Sequence, residues 1–365
     1  MISNKGMHLT NKYTDIDHRY WHLIGIIILS LRFVQGWIYW GGGSRRFIYA
    51  PQKLDPASTN YMAHKLQTGM PGSLFDMTPI ISFLLEHWYL LFIAILLFSL
   101  VELLCGAFLI LGFLTRSSAL VSTFLSMSLM VLFGWQGSTC MDEWTMAVSN
   151  CAMGLTLTLT GAYSYSIDSF LLAKNPHLRE KIWFRLIGSG ALDIKKLTRM
   201  GLLFFFFCFI FTVGTYNYYR GAIFSRYHAG PVNPRIHHIS LTDPSYTNGT
   251  ISFKAYVSSG DPATPTHIMK IELLNAQGTI IRTWIGSNLI HWPKDRIKNL
   301  YLYNQFLPGK FGLNGFLGAK AMITLPEKLL LDPGRYTITV ETVDGILSST
   351  SFQINASAPT PTKGP

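Results

Sequence analysis

Long apolar runs fill the first 220 residues, and short alternating runs fill the rest. A helix that crosses a bilayer needs about 20 apolar residues. Five runs approach that length: His22 to Trp40, Trp88 to Leu114, Ser117 to Trp135, Trp144 to Tyr163 and Gly201 to Tyr219. Trp21, Trp37, Trp40, Trp88, Trp135, Trp144, Tyr163, Tyr216, Tyr218 and Tyr219 lie at or near their ends, where interfacial aromatics belong. Beyond residue 225 the period changes. Ile251–Val257, Met269–Leu274, Thr279–Trp284, Ala321–Leu325 and Tyr336–Thr342 alternate or are β-branched. Turn pairs such as Asp243-Pro244, Asn248-Gly249, Asp332-Pro333-Gly334 and Asp344-Gly345 separate them. The pattern predicts a mixed fold, an all-α membrane bundle of about five transmembrane helices followed by an all-β, antiparallel sandwich.

Composition agrees. Of the 365 residues 49% are hydrophobic and only 13% charged, against about 25% charged in an average soluble domain. The formal net charge of +11 follows membrane topology. With the N-terminus in the cytoplasm, Lys5, Lys12, Arg19, Arg116, Lys174, Arg179, Lys181, Arg185, Lys195, Lys196 and Arg199 fall inside. The two outer loops between helices hold only Arg45, Arg46, Lys53 and Lys65. The positive-inside rule then sends the tail to the periplasm or cell exterior, and nucleic-acid binding is not expected. The N-terminus has no signal-peptide cleavage pattern, so the first helix reads as a retained anchor. No CxxCH, GxGxxG or GxxxxGK[ST] motif occurs, so no haem, flavin or metal cofactor is expected.

The chemistry-bearing residues fall into two groups. Arg32 and Glu102 lie inside predicted spans at similar depth, about 15–18 Å from the inner side at 1.5 Å per residue, so a pairing is expected. Such groups serve either as a structural ion pair or in proton transfer and quinone contact. The outer group begins with Gly41-Gly42-Gly43-Ser44-Arg45-Arg46, a predicted loop. It suits either an oxyanion nest with two arginines or a flexible contact to lipid phosphates. Cys140 is the one cysteine expected at the outer surface. Cys105, Cys151 and Cys208 fall deep in the spans, too far to bridge to it. A thiol near arginines is a candidate nucleophile. Asp142 and Glu143 start the fourth span and suit helix capping or acid–base work. His87 begins the second span at the same outer level and is an anchor or a proton relay.

Arg32 with Gly36, the stretch from Glu102 to Thr115-Arg116 and the loop Gly134–Trp144 resemble the DoxD/DoxX membrane family. The tail from about residue 225 resembles DoxA. The two are subunits of thiosulfate:quinone oxidoreductase and are fused here. The resemblance implies a DoxD-like four-helix domain over 1–199, a fifth helix and linker over 200–224, a DoxA-like β domain over 225–356 and a disordered tail over 357–365. It implies a membrane enzyme that joins two thiosulfates into tetrathionate and reduces a membrane quinone. In that scheme Arg45 and Arg46 bind thiosulfate, Cys140 with Asp142 and Glu143 is catalytic, and Arg32, Glu102 and His87 serve quinone or protons. Thiosulfate, quinone and the lipid bilayer are the expected partners, with a terminal quinol oxidase and a second copy of the chain as further candidates. A non-catalytic assembly subunit of a quinol oxidase and a transporter for a sulfur oxyanion are the alternatives from other classes.

Overall fold

The computed structural model describes residues 19–137 and 142–355. The chain divides into two compact units. One holds residues up to Tyr61 with Phe92–Gly134 and Asp142–His228. The other holds Met62–Leu91, the segment from Trp135, and the residues from Ala229 onward.

The first unit is helical. Helix α1 (Arg19–Ile27) bends by 50° at Ile28 into α2 (Leu29–Ser44), which runs on into a wide π turn over Arg45–Tyr49. Helices α3 (Met62–Gly69) and α4 (Thr78–Glu86) belong to the other unit. Then come α5 (Trp88–Leu111), α6 (Thr115–Phe133), α7 (Asp142–Thr160), the short α8 (Ile167–Lys174) and α9 (Ile182–Ile187), and α10 (Ile194–Arg220). Helices α5, α6 and α10 are long and apolar enough to span a bilayer, and the bent α1–α2 pair makes a fourth candidate. Five spans were expected. The remaining one, α7, has the length at 19 residues, but Asp142, Glu143, Ser149, Asn150 and four threonines make it more polar.

The bundle closes on small residues. Helices α2 and α5 run antiparallel, and a Cβ on Gly36 would lie 2.8 Å from the Ile110 backbone nitrogen. One on Gly43 would lie 2.6 Å from Leu103 Cα, and one on Gly106 would overlap the Trp40 backbone. Lipid offers no hydrophobic drive between helices, so close backbone approach at glycine supplies much of the packing. Ile28, Cys105, Leu109, Ala119 and Leu157 fill the core between the helices.

At the α5–α6 turn, Leu114 takes a left-handed conformation with φ 44°. The fully buried Asp168 holds that turn, accepting from the backbone nitrogens of Leu114 (2.9 Å) and Thr115 (3.0 Å) and from the hydroxyls of Thr115 (2.9 Å) and Ser189 (2.6 Å). Arg116 spends its guanidinium on main-chain carbonyls of Thr158, Leu159, Arg185 and Gly190. The Leu114-Thr115-Arg116 segment is thus a structural corner.

The second unit is built on two antiparallel sheets. Strands β1 (His238–Thr247), β2 (Thr250–Ser259), β8 (Lys320–Thr324) and β5 (Ile297–Asn299) form one, in the order β1-β2-β8-β5. The other has the order β10 (Leu347–Ile354), β9 (Gly334–Thr342), β3 (Thr266–Leu274), β7 (Gly312–Gly315), β6 (Leu307–Gly309), with β4 (Ile280–Ile285) also on β3. Burial alternates strictly along β2, so Ile251, Phe253, Ala255 and Val257 point into the core. Ile271, Leu273, Ile338 and Val340 are likewise fully buried on the larger sheet. The five expected strands are all present. Asp243-Pro244, expected as a turn, sits inside β1, where Asp243 has φ 50° and the register slips between Thr242 and Ser245. It is a bulge: proline cannot donate to the ladder, and a bulge leaves that nitrogen out of it.

Helices α3 and α4 are integral to this unit. The fully buried Gln67 donates to the carbonyls of Asn304 (3.0 Å) and Gly318 (2.8 Å) and accepts from Asn304 nitrogen (2.9 Å). His64 Nδ1 meets Asn304 Oδ1 at 2.9 Å, and Ser82 Oγ meets the Tyr301 hydroxyl at 2.8 Å. The Trp135 indole donates to Gly69 carbonyl at 3.1 Å. Residues 62–91 and Trp135 are therefore folded into the β unit.

Candidate functional site

The predicted Gly-Gly-Gly-Ser loop is helix, the last turn of α2. Glycine favours loops in isolation, but here close approach to α5 dictates the conformation. The helical continuation carries Arg46 inward along α5. Its guanidinium forms an ion pair with Glu102, donates to Ser99 Oγ at 3.4 Å and lies over the Phe98 ring at 5.6 Å. Arg46 and Glu102 side chains are 15% and 13% exposed. Gly42 faces the same carboxylate, and any side chain there would overlap it.

The expected Arg32–Glu102 pair does not form. Arg32 donates to the carbonyls of Ser164 (3.2 Å) and Tyr165 (2.7 Å), beyond the end of α7, and its Nε has no hydrogen-bond partner. The reason is register. Gly36 faces Gly106 and Ile110, so Arg32, one turn earlier, falls beside Gly112. Glu102 falls beside Gly42, on the far side of the seam.

Lys53 completes the cluster. It lies in the short 3-10 turn Pro51–Lys53 that follows the π turn. Burial and the nearby Arg45 and Arg46 push its ammonium below the usual lysine range, with Glu102 opposing. Arg45 itself is exposed. Arg46 pairs with Glu102, and Arg45 and Lys53 lie within electrostatic reach of the same carboxylate, so the surplus is positive. Sequence reasoning noted Lys53 only as an outer charge; the 3-10 turn that folds it back was not legible.

The other candidates lie apart. His87 stands at the break between α4 and α5, with Nδ1 2.7 Å from Phe83 carbonyl and its ring 4.3 Å from the Phe83 ring. It belongs to the second unit's contacts and not to the Arg46–Glu102 cluster. Asp142 and Glu143 occupy the first turn of α7, where acids complement the helix dipole. Cys140 lies outside the described residues.

Neutral polar residues in the bundle escaped a search for charges. Gln35 Nε2 donates to Ser122 Oγ (3.1 Å) and Asn150 carbonyl (3.0 Å), and the Tyr39 hydroxyl donates to Ser122 carbonyl (2.7 Å). Gln35 Oε1, Asn150 Oδ1 and Ser44 Oγ are buried with no hydrogen-bond partner. An amide in the middle of an apolar run was the signal to follow. Among the described residues no group of three or more His, Cys, Asp or Glu is placed to hold a metal ion.

Residues 27–203 match the family described as TQO small subunit DoxD, and residues 219–351 match the one described as TQO small subunit DoxA. The two matches lie in one chain and are consistent with a fused DoxD–DoxA polypeptide. The DoxD part spans α2 to the first turns of α10 and contains Arg45, Arg46, Lys53 and Glu102. The DoxA part takes in the end of α10 and most of the two sheets. Both are small-subunit families of thiosulfate:quinone oxidoreductase, which supports a role of that type in a membrane.

Proposed function

We propose that this DoxD–DoxA chain oxidises thiosulfate and reduces a membrane quinone. Two thiosulfate dianions join into tetrathionate and release two electrons. The quinone takes those electrons with two protons and leaves as quinol. The observation that carries the reading is the cluster of Arg45, Arg46 and Lys53 around the single carboxylate of Glu102. Four negative charges must be brought together, and a positive surplus in a partly desolvated site offsets their repulsion.

Roles follow from position. Arg45 and Lys53 gather thiosulfate, since Arg46 is engaged with Glu102. Ser99, Phe98 and the Arg46–Glu102 pair offer polar groups and an aromatic ring to a quinone head reaching them from lipid. Glu102 carries protons to the quinone, and the unpartnered oxygens of Gln35 and Asn150 mark a polar interior through which water can supply them. Cys140 is the proposed acceptor of the first sulfur: its thiol loses a proton and joins thiosulfate as a Cys–S–S–SO3− adduct while two electrons pass to the quinone, and a second thiosulfate attacks the adduct's sulfane sulfur, releasing tetrathionate and the Cys140 thiolate. The Lys and Arg distribution supports an N-terminus in the cytoplasm and the DoxA part outside.

The test is direct. Purified protein is mixed with thiosulfate and decylubiquinone, and quinol and tetrathionate are measured. One quinol per tetrathionate is the expected result. Transport of labelled thiosulfate into liposomes without quinone would replace this reading with a transporter. No turnover and no transport by the folded protein would leave an assembly subunit.

A further inference from the structure

Helix α10 joins the DoxD part to the DoxA part, yet it is weakly held along most of its length. No residue of its most apolar stretch is buried, and its buried residues are Tyr219 and Arg220 at one end. Near that end Trp144 Nε1 donates to Thr215 Oγ1 at 2.8 Å, and the Trp144 ring meets Tyr216 edge-on at 5.3 Å. These contacts fix how α7 and α10 run past each other. The helices are antiparallel, so equal steps along each stay opposite. Seven residues on from Trp144, about two turns, is Cys151. Seven residues back from Thr215 is Cys208. The register therefore sets the two thiols face to face in mid-helix. Both are free thiols here, Cys151 buried and Cys208 half-buried.

We propose that Cys151 and Cys208 form a reversible disulfide that fastens α10 to α7, made by a lipid-dissolved quinone. Two S–H bonds break and one S–S bond forms. The two electrons and two protons pass to the quinone, which becomes quinol. Access is on the Cys208 side. Its neighbours Phe205, Phe206, Phe209 and Ile210 are all exposed on an apolar face suited to lipid, where quinone dissolves. The bridge would be a mid-span fastening for a helix that otherwise relies on Trp144, Thr215, Tyr216 and Tyr219. Its state would follow the oxidation state of the quinone pool. The inference rests on the proposed function only for quinone as the natural oxidant.

The experiment uses the full chain, reduced with a phosphine that is then removed. The protein is incubated with decylubiquinone in the absence of thiosulfate. Remaining thiols are blocked with N-ethylmaleimide, and peptides are mapped by mass spectrometry without reduction. The expected result is a Cys151–Cys208 cross-linked peptide with one quinol formed per cross-link. It persists in Cys105→Ser and Cys140→Ser and is lost in Cys208→Ser. Recovery of Cys151 and Cys208 as maleimide adducts after quinone treatment of the wild-type chain overturns the proposal. So does a bridge from either of them to Cys105 or Cys140. Thiosulfate turnover is scored separately. A chain that cross-links without turnover keeps this inference and loses the proposed function, and one that turns over with both thiols alkylated does the reverse.

Discussion

Arg46 reaches Glu102 from the π turn that ends α2, so the pair links the first long helix to the middle of α5. Glu102 lies fourteen residues from Trp88 and nine from Leu111, roughly 21 Å and 14 Å along the axis at 1.5 Å per residue. An ion pair at that position fixes the α2–α5 register from the side, while the glycine seam fixes it from the backbone.

Removing one partner should hurt more than removing both. Breaking a buried pair leaves an uncompensated charge and costs about 3–5 kcal/mol, whereas replacing the whole pair is often neutral. The partial exposure of both side chains places the loss near the lower figure. Glu102→Gln should lower the thermal midpoint of the purified protein and its quinone reduction. Arg46→Gln with Glu102→Gln should recover most of the midpoint but little of the activity. Equal, additive losses in the thermal scan would remove the pair from the account of stability.

Two glycines of the bundle give opposite expectations. A Cβ on Gly106 would overlap the Trp40 backbone, and main chain cannot move aside as a side chain can. Gly106→Ala should cost on the order of 3 kcal/mol by overpacking and weaken the Arg46–Glu102 pair with it. Gly41 has nothing within 4 Å of its would-be Cβ. Gly41→Ala should be neutral or stabilise α2 by about 0.5–1 kcal/mol. Thermal midpoints in detergent check both, and a harmless Gly106→Ala would refute the close seam.

The same seam explains what the sequence concealed. Apolar runs placed all five long helices, and period-two alternation placed β2, β3, β4, β8 and β9. Gly41-Gly42-Gly43-Ser44 has loop composition, and only the facing surface of α5 makes it helical. Once that turn is helix, Arg46 moves inward to Glu102. Arg32 then drops to the level of Gly112, and depth counted from presumed helix ends misassigns the partner. The β1 strand was hidden by Asp243-Pro244, whose bulge tolerates residues that a regular ladder excludes. Gln67 gave no signal at all, because its partners Asn304 and Gly318 are distant in sequence.

Gln67 nevertheless should be among the costliest polar side chains to lose in the β unit. It satisfies two carbonyls and one amide nitrogen in a fully buried place. An unsatisfied buried group costs about 1–3 kcal/mol. Gln67→Leu should therefore lower stability by several times that of Gln305→Leu, whose single bond to Leu302 is exposed. Limited proteolysis should show new cleavage within residues 62–91. If cleavage there stays unchanged, α3 is held by something other than this amide.

Lys53 provides a pH signature for the anion site. Burial and the two arginines disfavour its charged form in the free protein. A bound dianion does the opposite and raises the ammonium's pKa. Binding is therefore strongest below the free-state pKa, and affinity falls as pH climbs through the bound-state pKa. The Michaelis constant for thiosulfate should rise at alkaline pH, beginning below the ordinary lysine value of 10.5. Lys53→Arg should flatten that rise, because arginine stays charged. Lys53→Ala should raise the constant at neutral pH by about tenfold, the loss of one charge-assisted hydrogen bond of roughly 1.5 kcal/mol. Arg45→Ala should do the same at neutral pH yet keep the alkaline rise, since Lys53 is still there to titrate. Added salt should shrink each effect, as the site is only partly shielded from solvent. A profile that is flat in the wild type, or unchanged in Lys53→Arg, would take Lys53 out of the site and leave Arg45 to gather the anion.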